Sequence, residues 1–476
     1  MLRLTPTGSC LQERLVVFVP RWLPAAEPVG LPYRVVPGLS ALLRNGVAVD
    51  LVIEPHDGRF SDAVRRLLDG AAAVVAFCAE LNPAEQLPGI TAFLGAVAAA
   101  APELPRWIVG GFVPLLPRGF DFEGLATPLC SEESGAVLQA LARLRGHTLE
   151  QRQAFGVEAL QAMDLARFTR PEPLLFGNCE PTLQLPTGLG CGKRCPFCFY
   201  ERTHLRLLPA PAVVAAVAHC VERHRIRQFQ FGELDFLAAP VRALAIADGL
   251  CQRGLDTRWF ALASVADLLR IDDDGLRRLA RAGLVALEVG LEAGSDRALR
   301  QLDKRFTVDD ALRTHARLLQ QGIRPIYNLL LGWPGETEAD RRATIRLAER
   351  IRRSAPHAVL HFRLYQAIPS TTFGDRALAA GPLLPMTLSA LSAWRVDATR
   401  RLPWLPPREA ERVVELTEHW LPLAYADELA GPGPSLRRRA LATIARLRCR
   451  SGFLGVPLDR AVFEATEAAP RTTLLL

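Results

Sequence analysis

The sequence predicts an α/β protein in two sheet-containing parts, followed by a helical region. Three observations carry this. Up to about residue 150, short runs of β-branched and aliphatic residues alternate with helical patterns. From 181 to 380 the alternation starts again and repeats six times. Beyond 381 the strand signal stops, leaving helical patterns broken by proline and glycine. The expected organisation is a first domain over 1–150, a linker over 151–180, a second domain over 181–380 and a C-terminal cap over 381–476.

In the first part, strands are expected at residues 15–19, 47–53, 73–78 and 106–111, with a weaker fifth over 124–129. Helices fall at 37–44, 62–68, a long Ala-rich run to about 101, and 134–144. Near-continuous apolar strands separated by helices mean a parallel, doubly wound sheet covered on both faces. Such sheets bind ligands beyond the carboxyl ends of their strands. Those ends carry Arg21, Cys78, Gly110-Gly111 and Ser131-Glu132-Glu133, and no G-x-G-x-x-G or Walker loop is present. The prolines of Phe168-Thr169-Arg170-Pro171-Glu172-Pro173 deny that stretch a helix and suit a linker.

In the second part, strands are expected at 183–187, 228–232, 258–262, 285–290, 324–331 and 359–365, each followed by a helical pattern except the last. Six βα units fit a barrel or partial barrel, whose chemistry belongs at the C-terminal strand ends. Helices at 388–402, 409–419 and 435–448 complete the chain. Trp394, Trp404, Trp420 and Tyr425 fall in this region, with core packing the default for such aromatics.

Composition narrows the class. Ten cysteines in 476 residues are too sparse for a disulfide framework. The N-terminus shows no signal-peptide core and no uncharged apolar run reaches spanning length, so a cytoplasmic protein without a membrane span is expected. A net charge of +7 is modest and spread out, which does not favour nucleic acid. Nearly every basic residue is arginine; the only lysines are Lys193 and Lys304.

The strongest motif is Gly190-Cys191-Gly192-Lys193-Arg194-Cys195-Pro196-Phe197-Cys198, three thiols in C-x3-C-x2-C spacing. Three converging thiolates suit a soft metal or an iron–sulfur cluster, and they leave one ligand position open. A zinc knuckle would want a fourth ligand at a paired spacing; Cys179, His204 and Cys220 fit none. Downstream, Gly232-Glu233 ends the second barrel strand, with Asp235 close behind. Gly290-Leu291-Glu292-Ala293-Gly294-Ser295 ends the fourth, Gly332-Trp333-Pro334-Gly335-Glu336-Thr337 the fifth, and Pro369-Ser370-Thr371 follows the sixth. Glu233 also reads as a helix-start acid, and Glu336 as a helix cap. His361 and Arg363 alternate on the sixth strand, as Tyr327 and Asn328 stand on the fifth, and an inward histidine is more often a satisfied core group.

These segments resemble the radical S-adenosylmethionine (SAM) enzymes. The resemblance implies a [4Fe–4S] cluster on Cys191, Cys195 and Cys198, with SAM at the fourth iron. It places Phe197, Gly232, Glu233, Gly290, Glu292, Ser295, Gly332, Gly335 and Glu336 near SAM. The first part resembles the cobalamin-binding domain that precedes many such barrels, a Rossmann-like unit. Arg21, Gly30, Cys78, Gly110 and Gly111 are then the expected cobalamin neighbours. The histidine loop that supplies a lower cobalt ligand is absent after strand one, and His56 reads as a turn residue.

What the resemblance implies is a cobalamin-dependent radical SAM C-methyltransferase acting on an unactivated carbon of a natural product or peptide. SAM would serve both as radical source and as methyl donor through cobalamin. Radical cyclisation, oxidation or rearrangement without methyl transfer is the alternative. A non-catalytic iron–sulfur partner is a second, which the intact SAM segments argue against. A flavodoxin or ferredoxin is expected as electron donor.

Overall fold

The computed structural model describes residues 2–5, 13–20, 35–54, 63–78, 83–129, 134–145, 156–172, 176–201, 203–379, 385–393, 402–425 and 436–451. The first sheet contains β1 (Leu2–Leu4), β2 (Glu13–Val19), β3 (Val47–Ile53), β4 (Ala73–Phe77), β5 (Arg106–Val109) and β6 (Thr127–Pro128). Their order is β1-β3-β2-β4-β5-β6, with β2 to β6 parallel and β1 antiparallel at the edge. Without β1 this is the flavodoxin-like winding, whose switch point falls between β2 and β4. Strand β1 gave no sequence signal because it is three residues long. It is held by Arg3, whose Nε lies 2.7 Å from the buried Asp50 of β3.

Helices α1 (Val36–Arg44), α2 (Ala63–Leu68), α3 (Pro83–Ala100) and α4 (Ser134–Arg145) cover this sheet. Alternate residues of β2 divide between two cores. Leu15, Val17 and Val19 join Leu39 and Leu42 of α1, while Val16 and Phe18 join Phe93 and Leu94 of α3. Both parities are apolar because both faces are buried, each such side chain worth about 1.5–3 kcal/mol.

The second sheet follows chain order. It contains β7 (Arg170–Pro171), β8 (Pro181–Leu185) and, beyond the small hairpin β9 (Gly188–Leu189) and β10 (Arg206–Leu207), β11 (Gln228–Phe231). Then come β12 (Arg258–Ser264), β13 (Leu284–Glu292), β14 (Arg324–Leu331) and β15 (Val359–Leu364). From β8 onward the six sheet strands are parallel, with β7 antiparallel on the outer edge of β8. The sheet curls into a half barrel. Helices α5 (Ala210–His224), α6 (Pro240–Gln252), α7 (Asp273–Arg281), α8 (Asp296–Gln301), α9 (Val308–Gln320) and α10 (Glu338–Ser354) form its outer layer. Inside, Phe260, Ala286, Ile326 and Val359 meet Phe176 in a small separate core that plugs the N-terminal end.

After α11 (Thr372–Ala379), helix α12 (Leu388–Ala393) returns to the first sheet and packs on α3. Leu388 and Leu391 join the α3 core, and Ser389 N donates to Glu123 at 2.6 Å. Helix α13 (Pro407–Glu415), a π-helical turn (Leu416–Trp420), α14 (Leu421–Tyr425) and α15 (Leu436–Ser451) follow. The described helices beyond 402 cover the outward Leu360 and Phe362 of β15, with Phe362 and Tyr425 rings 5.4 Å apart. Trp404, Trp420 and Tyr425 are thus packing aromatics, while Trp394 lies outside the described residues. No described helix is long and apolar enough to cross a membrane.

Candidate active site

Strand β8 runs through Thr187 into the β9–β10 hairpin, and the cysteine loop spans the gap between those two strands. Gly190 opens it with φ +72°, and a Cβ there would lie 2.1 Å from His204 O. Only glycine fits that approach. Cys191 N donates to Thr203 Oγ1 at 3.0 Å, and Cys198 N to Cys195 O at 3.0 Å. Glu201 ties the loop across to the turn after β15, accepting from Thr372 N at 2.8 Å and Thr372 Oγ1 at 2.6 Å. Phe373 N donates to Pro196 O at 2.8 Å. Thr372 and Phe373, directly after Pro369-Ser370-Thr371, thereby brace the loop.

Burial raises the pKa of Cys191 and Cys198, and the neighbouring thiols add to the rise at both. Buried thiols side by side ionise together only around a cation, which fits a cluster. Among the described residues, no three His, Cys, Asp or Glu side chains close around a single ion. A four-iron cluster asks for something else, a separate iron for each thiolate.

Both lysines stand at this loop. Lys193 Nζ lies 3.1 Å from Asp235 Oδ2 and also pairs with Asp267. Asp267 in turn accepts from Ser264 Oγ at 3.0 Å and Arg270 Nη1 at 3.0 Å. Lys304 Nζ lies 3.1 Å from Glu292 Oε1 and 5.2 Å from the Phe197 ring centre. Glu292 holds its place from a left-handed backbone, φ +63°, just after a register shift in the pairing of β13 with β14. Strain of this kind costs about 1–3 kcal/mol and clusters at functional sites. Sequence reasoning flagged the lysines only by their rarity.

Other expected residues have structural partners. Glu233 is buried, with Arg242 Nη1 3.0 Å from Oε1 and Thr187 Oγ1 donating to Oε1 at 3.2 Å. Arg242 also donates to Thr187 O at 2.8 Å and Leu208 O at 2.6 Å. Glu233 therefore clamps the foot of the hairpin, and burial pushes its carboxyl up to about 7. Gly232 N donates to Leu185 O at 2.8 Å beside it. Ser295 caps α8, accepting from Ala298 N at 3.1 Å. Glu336 accepts from Gly332 N at 2.6 Å and closes its own turn, in which Gly332 (φ +78°) and Gly335 (φ +95°) are left-handed. The cap of α10 is Thr337 instead. Gly290 faces Glu292, where a Cβ would meet its carboxylate at 2.7 Å.

Above the apolar plug, the next layer inward is polar. Asn328 Nδ2 donates to Glu288 Oε1 at 2.8 Å, and His361 Nδ1 lies 3.8 Å from the same oxygen. Among the described residues, Asn328 Oδ1 and His361 Nδ1 are buried without a hydrogen-bond partner. Arg363, one layer higher on β15, has its pKa lowered by burial against the pull of Glu288 and Glu292. Tyr327 points to the other face, where its hydroxyl meets His315 Nδ1 at 3.0 Å.

In the first sheet, Cys78 follows β4 and Gly110 follows β5, φ +122°, with the Cys78 carbonyl 1.9 Å from where a Cβ of Gly110 would stand. Burial pushes the Cys78 thiol up to about 12, so it is a neutral group at the strand end. Gly111 is buried beside it. Arg21, Gly30, His56 and Ser131-Glu132-Glu133 lie outside the described residues.

Residues 185–348 match the family described as the Radical SAM superfamily. A tRNA-2-methylthio-N(6)-dimethylallyladenosine synthase of Acidithiobacillus ferrooxidans is 31% identical over 180 residues, 34% of this chain and 39% of that protein. A Pseudomonas aeruginosa protein of the same name is 28% identical over 242 residues, 45% of this chain and 49% of that protein. The chain spans less than half the length of these curated relatives. Among solved structures, the cobalamin-dependent SAM radical enzyme OxsB, with aqua-cobalamin and SAM bound, covers 92% of this chain and 72% of its own at TM-score 0.64 and 11% identity. The radical SAM methyltransferase TsrM of Kitasatospora setae, with tryptophan and a SAM analogue, covers 78% and 77% at TM-score 0.59 and 15% identity. At such identities the likeness is one of fold. The cysteine loop and the barrel strands β11 to β14 fall inside the matched segment, so residues 185–348 of this chain match a Radical SAM domain.

Proposed function

We propose that this protein is a cobalamin-dependent radical SAM enzyme that methylates an unactivated carbon of a small molecule or peptide. The observation that carries the reading is one convergence. The cysteine loop, the Glu292–Lys304 pair and the Gly332–Glu336 turn all stand at the C-terminal end of the half barrel, where such folds do their chemistry. Beside it lies a flavodoxin-like sheet, the fold that OxsB and TsrM also share with this chain.

When bound, a [4Fe–4S] cluster and SAM supply a 5′-deoxyadenosyl radical, and cobalamin supplies a methyl carrier. Cys191, Cys195 and Cys198 would hold the cluster. Glu292, Gly332 and Gly335 would line the SAM site, the two turn glycines leaving the backbone open to close approach. Glu288, Asn328 and His361 would face the substrate, since their polar layer sits over an apolar plug and Asn328 Oδ1 and His361 Nδ1 find no hydrogen-bond partner among the described residues. Arg21, Gly30, Cys78, Gly110 and Gly111 would border cobalamin. The working division is 1–150 for cobalamin, 181–380 for the radical barrel, 151–180 as linker and 381–476 as helical cap, with flavodoxin or ferredoxin as electron donor.

The test is anaerobic purification with cluster reconstitution, with and without cobalamin, then incubation with methyl-labelled SAM, reductant and candidate substrates. Formation of 5′-deoxyadenosine and cobalamin-dependent label in product is the expected result. Failure to bind cobalamin would sink the methyl-transfer reading. 5′-Deoxyadenosine with unlabelled product would shift it to cyclisation, oxidation or rearrangement.

A further inference from the structure

This chain uses arginine for all but two of its 57 basic residues, and both exceptions stand at the cysteine loop. Their settings differ. Lys193 is neutralised twice, by Asp235 and Asp267. Lys304 has a single carboxylate within ion-pair distance among the described residues, Glu292 at 3.1 Å. Its ammonium lies 5.2 Å from the ring centre of Phe197, the residue directly before Cys198. The Lys304 side chain is only 11% exposed, so water screens its charge weakly. The Glu292 carboxylate beside it holds the group in its cationic form.

We propose that Lys304 sets the reduction potential of the cluster on Cys191, Cys195 and Cys198, with Glu292 as the counter-charge that tempers it. The inference rests on the reading above that this loop holds a four-iron cluster. Reduction adds one electron to the cluster, taken from a ferredoxin, a flavodoxin or dithionite, with no proton or ligand moved. A fixed cation beside the thiolates favours the more negative, reduced form and raises the midpoint; a carboxylate lowers it. The left-handed backbone at Glu292 keeps the carboxylate on the ammonium, making the pair a set dipole instead of two independent charges.

The test is a dithionite titration of the reconstituted full-length protein, followed by electron paramagnetic resonance, with iron and sulfide content measured in parallel. For Lys304→Met, the reduced-to-oxidised ratio at any fixed potential is expected to fall about tenfold, a midpoint about 59 mV lower for one electron. Glu292→Gln should move it the opposite way. The double variant should return close to the starting midpoint, and Lys304→Arg should stay near it. Unmoved midpoints in cluster-replete Lys304→Met and Glu292→Gln, or shifts of the same sign in both, would overturn the proposal. Should Lys304→Met hold no cluster, the direction of the Glu292→Gln shift decides alone. If the unaltered chain assembles no four-iron cluster, it is the underlying functional reading that fails.

Discussion

Ser295 Oγ donates to Asp340 Oδ1 at 2.6 Å, joining the turn after β13 to the start of α10. The same carboxylate accepts from Thr337 N at 3.0 Å and from Thr337 Oγ1, and pairs with Arg297. The turns that follow β13 and β14 are therefore bound to each other through one aspartate. Although burial works against it, these partners hold the Asp340 carboxyl well below its ordinary 3.8. A depressed carboxyl gives stability that is full above the ordinary value and lost as pH falls through the folded one. Asp340→Asn is expected to cost about 3 kcal/mol near neutral pH and to flatten the loss of stability below pH ~4. Thermal melts across pH would show it, and an unchanged melting temperature would refute the hub.

Gly190→Ala places a methyl 2.1 Å from His204 O at φ +72°. The loop then has to shift, at a cost of about 1–3 kcal/mol. Bound iron after reconstitution should fall sharply while the melting of the remainder changes little. Full iron occupancy in this variant would show that the loop tolerates another path.

His315 is buried between Tyr327 Oη and Ser354 Oγ, each at 3.0 Å. Burial, with His357 adding, lowers its pKa from 6.5, so the folded state prefers the neutral ring. Below that value the unfolded chain takes up a proton that the folded one resists, and stability declines as pH falls. His315→Gln should remove that part of the decline, at a cost of about 1–3 kcal/mol at pH 8. Denaturant unfolding at pH 8 and pH 5.5 compares the two.

His361→Gln and Glu288→Gln address the polar layer over the barrel plug. Each is expected to reduce product at least tenfold, about 1.4 kcal/mol in the barrier, while substrate-free SAM cleavage stays within twofold. Chromatography of 5′-deoxyadenosine against product makes the comparison. Equal loss of both would place the pair in SAM binding instead.

The two sheets were legible because parallel strands buried on both faces read as unbroken apolar runs. Val47–Ile53 and Arg324–Leu331 fall where the pattern put them. Leu2–Leu4 and Gly188–Leu189 did not, since two or three residues carry no periodicity. Within the site, spacing along the chain identified the three cysteines but could not say what faces a carboxylate. Glu233 looks open in sequence, yet Arg242, nine positions later in α6, occupies it. Likewise, the second helix of the C-terminal region seemed to end at His419, while the chain stays helical through a π turn to Tyr425, past Pro422. Partner identity depends on packing between elements, and that information is not local.

Helix α12 lies against α3 although Ser389 and its partner Glu123 are 266 residues apart. At ribosomal speeds of about 5–20 residues per second, the groove that receives Leu388 and Leu391 stands open for on the order of tens of seconds after the first sheet has emerged. A newborn chain thus exposes an apolar slot beside α3 until Leu388 and Leu391 have been made, and that slot is a natural point for chaperone engagement and for misassembly when synthesis stalls.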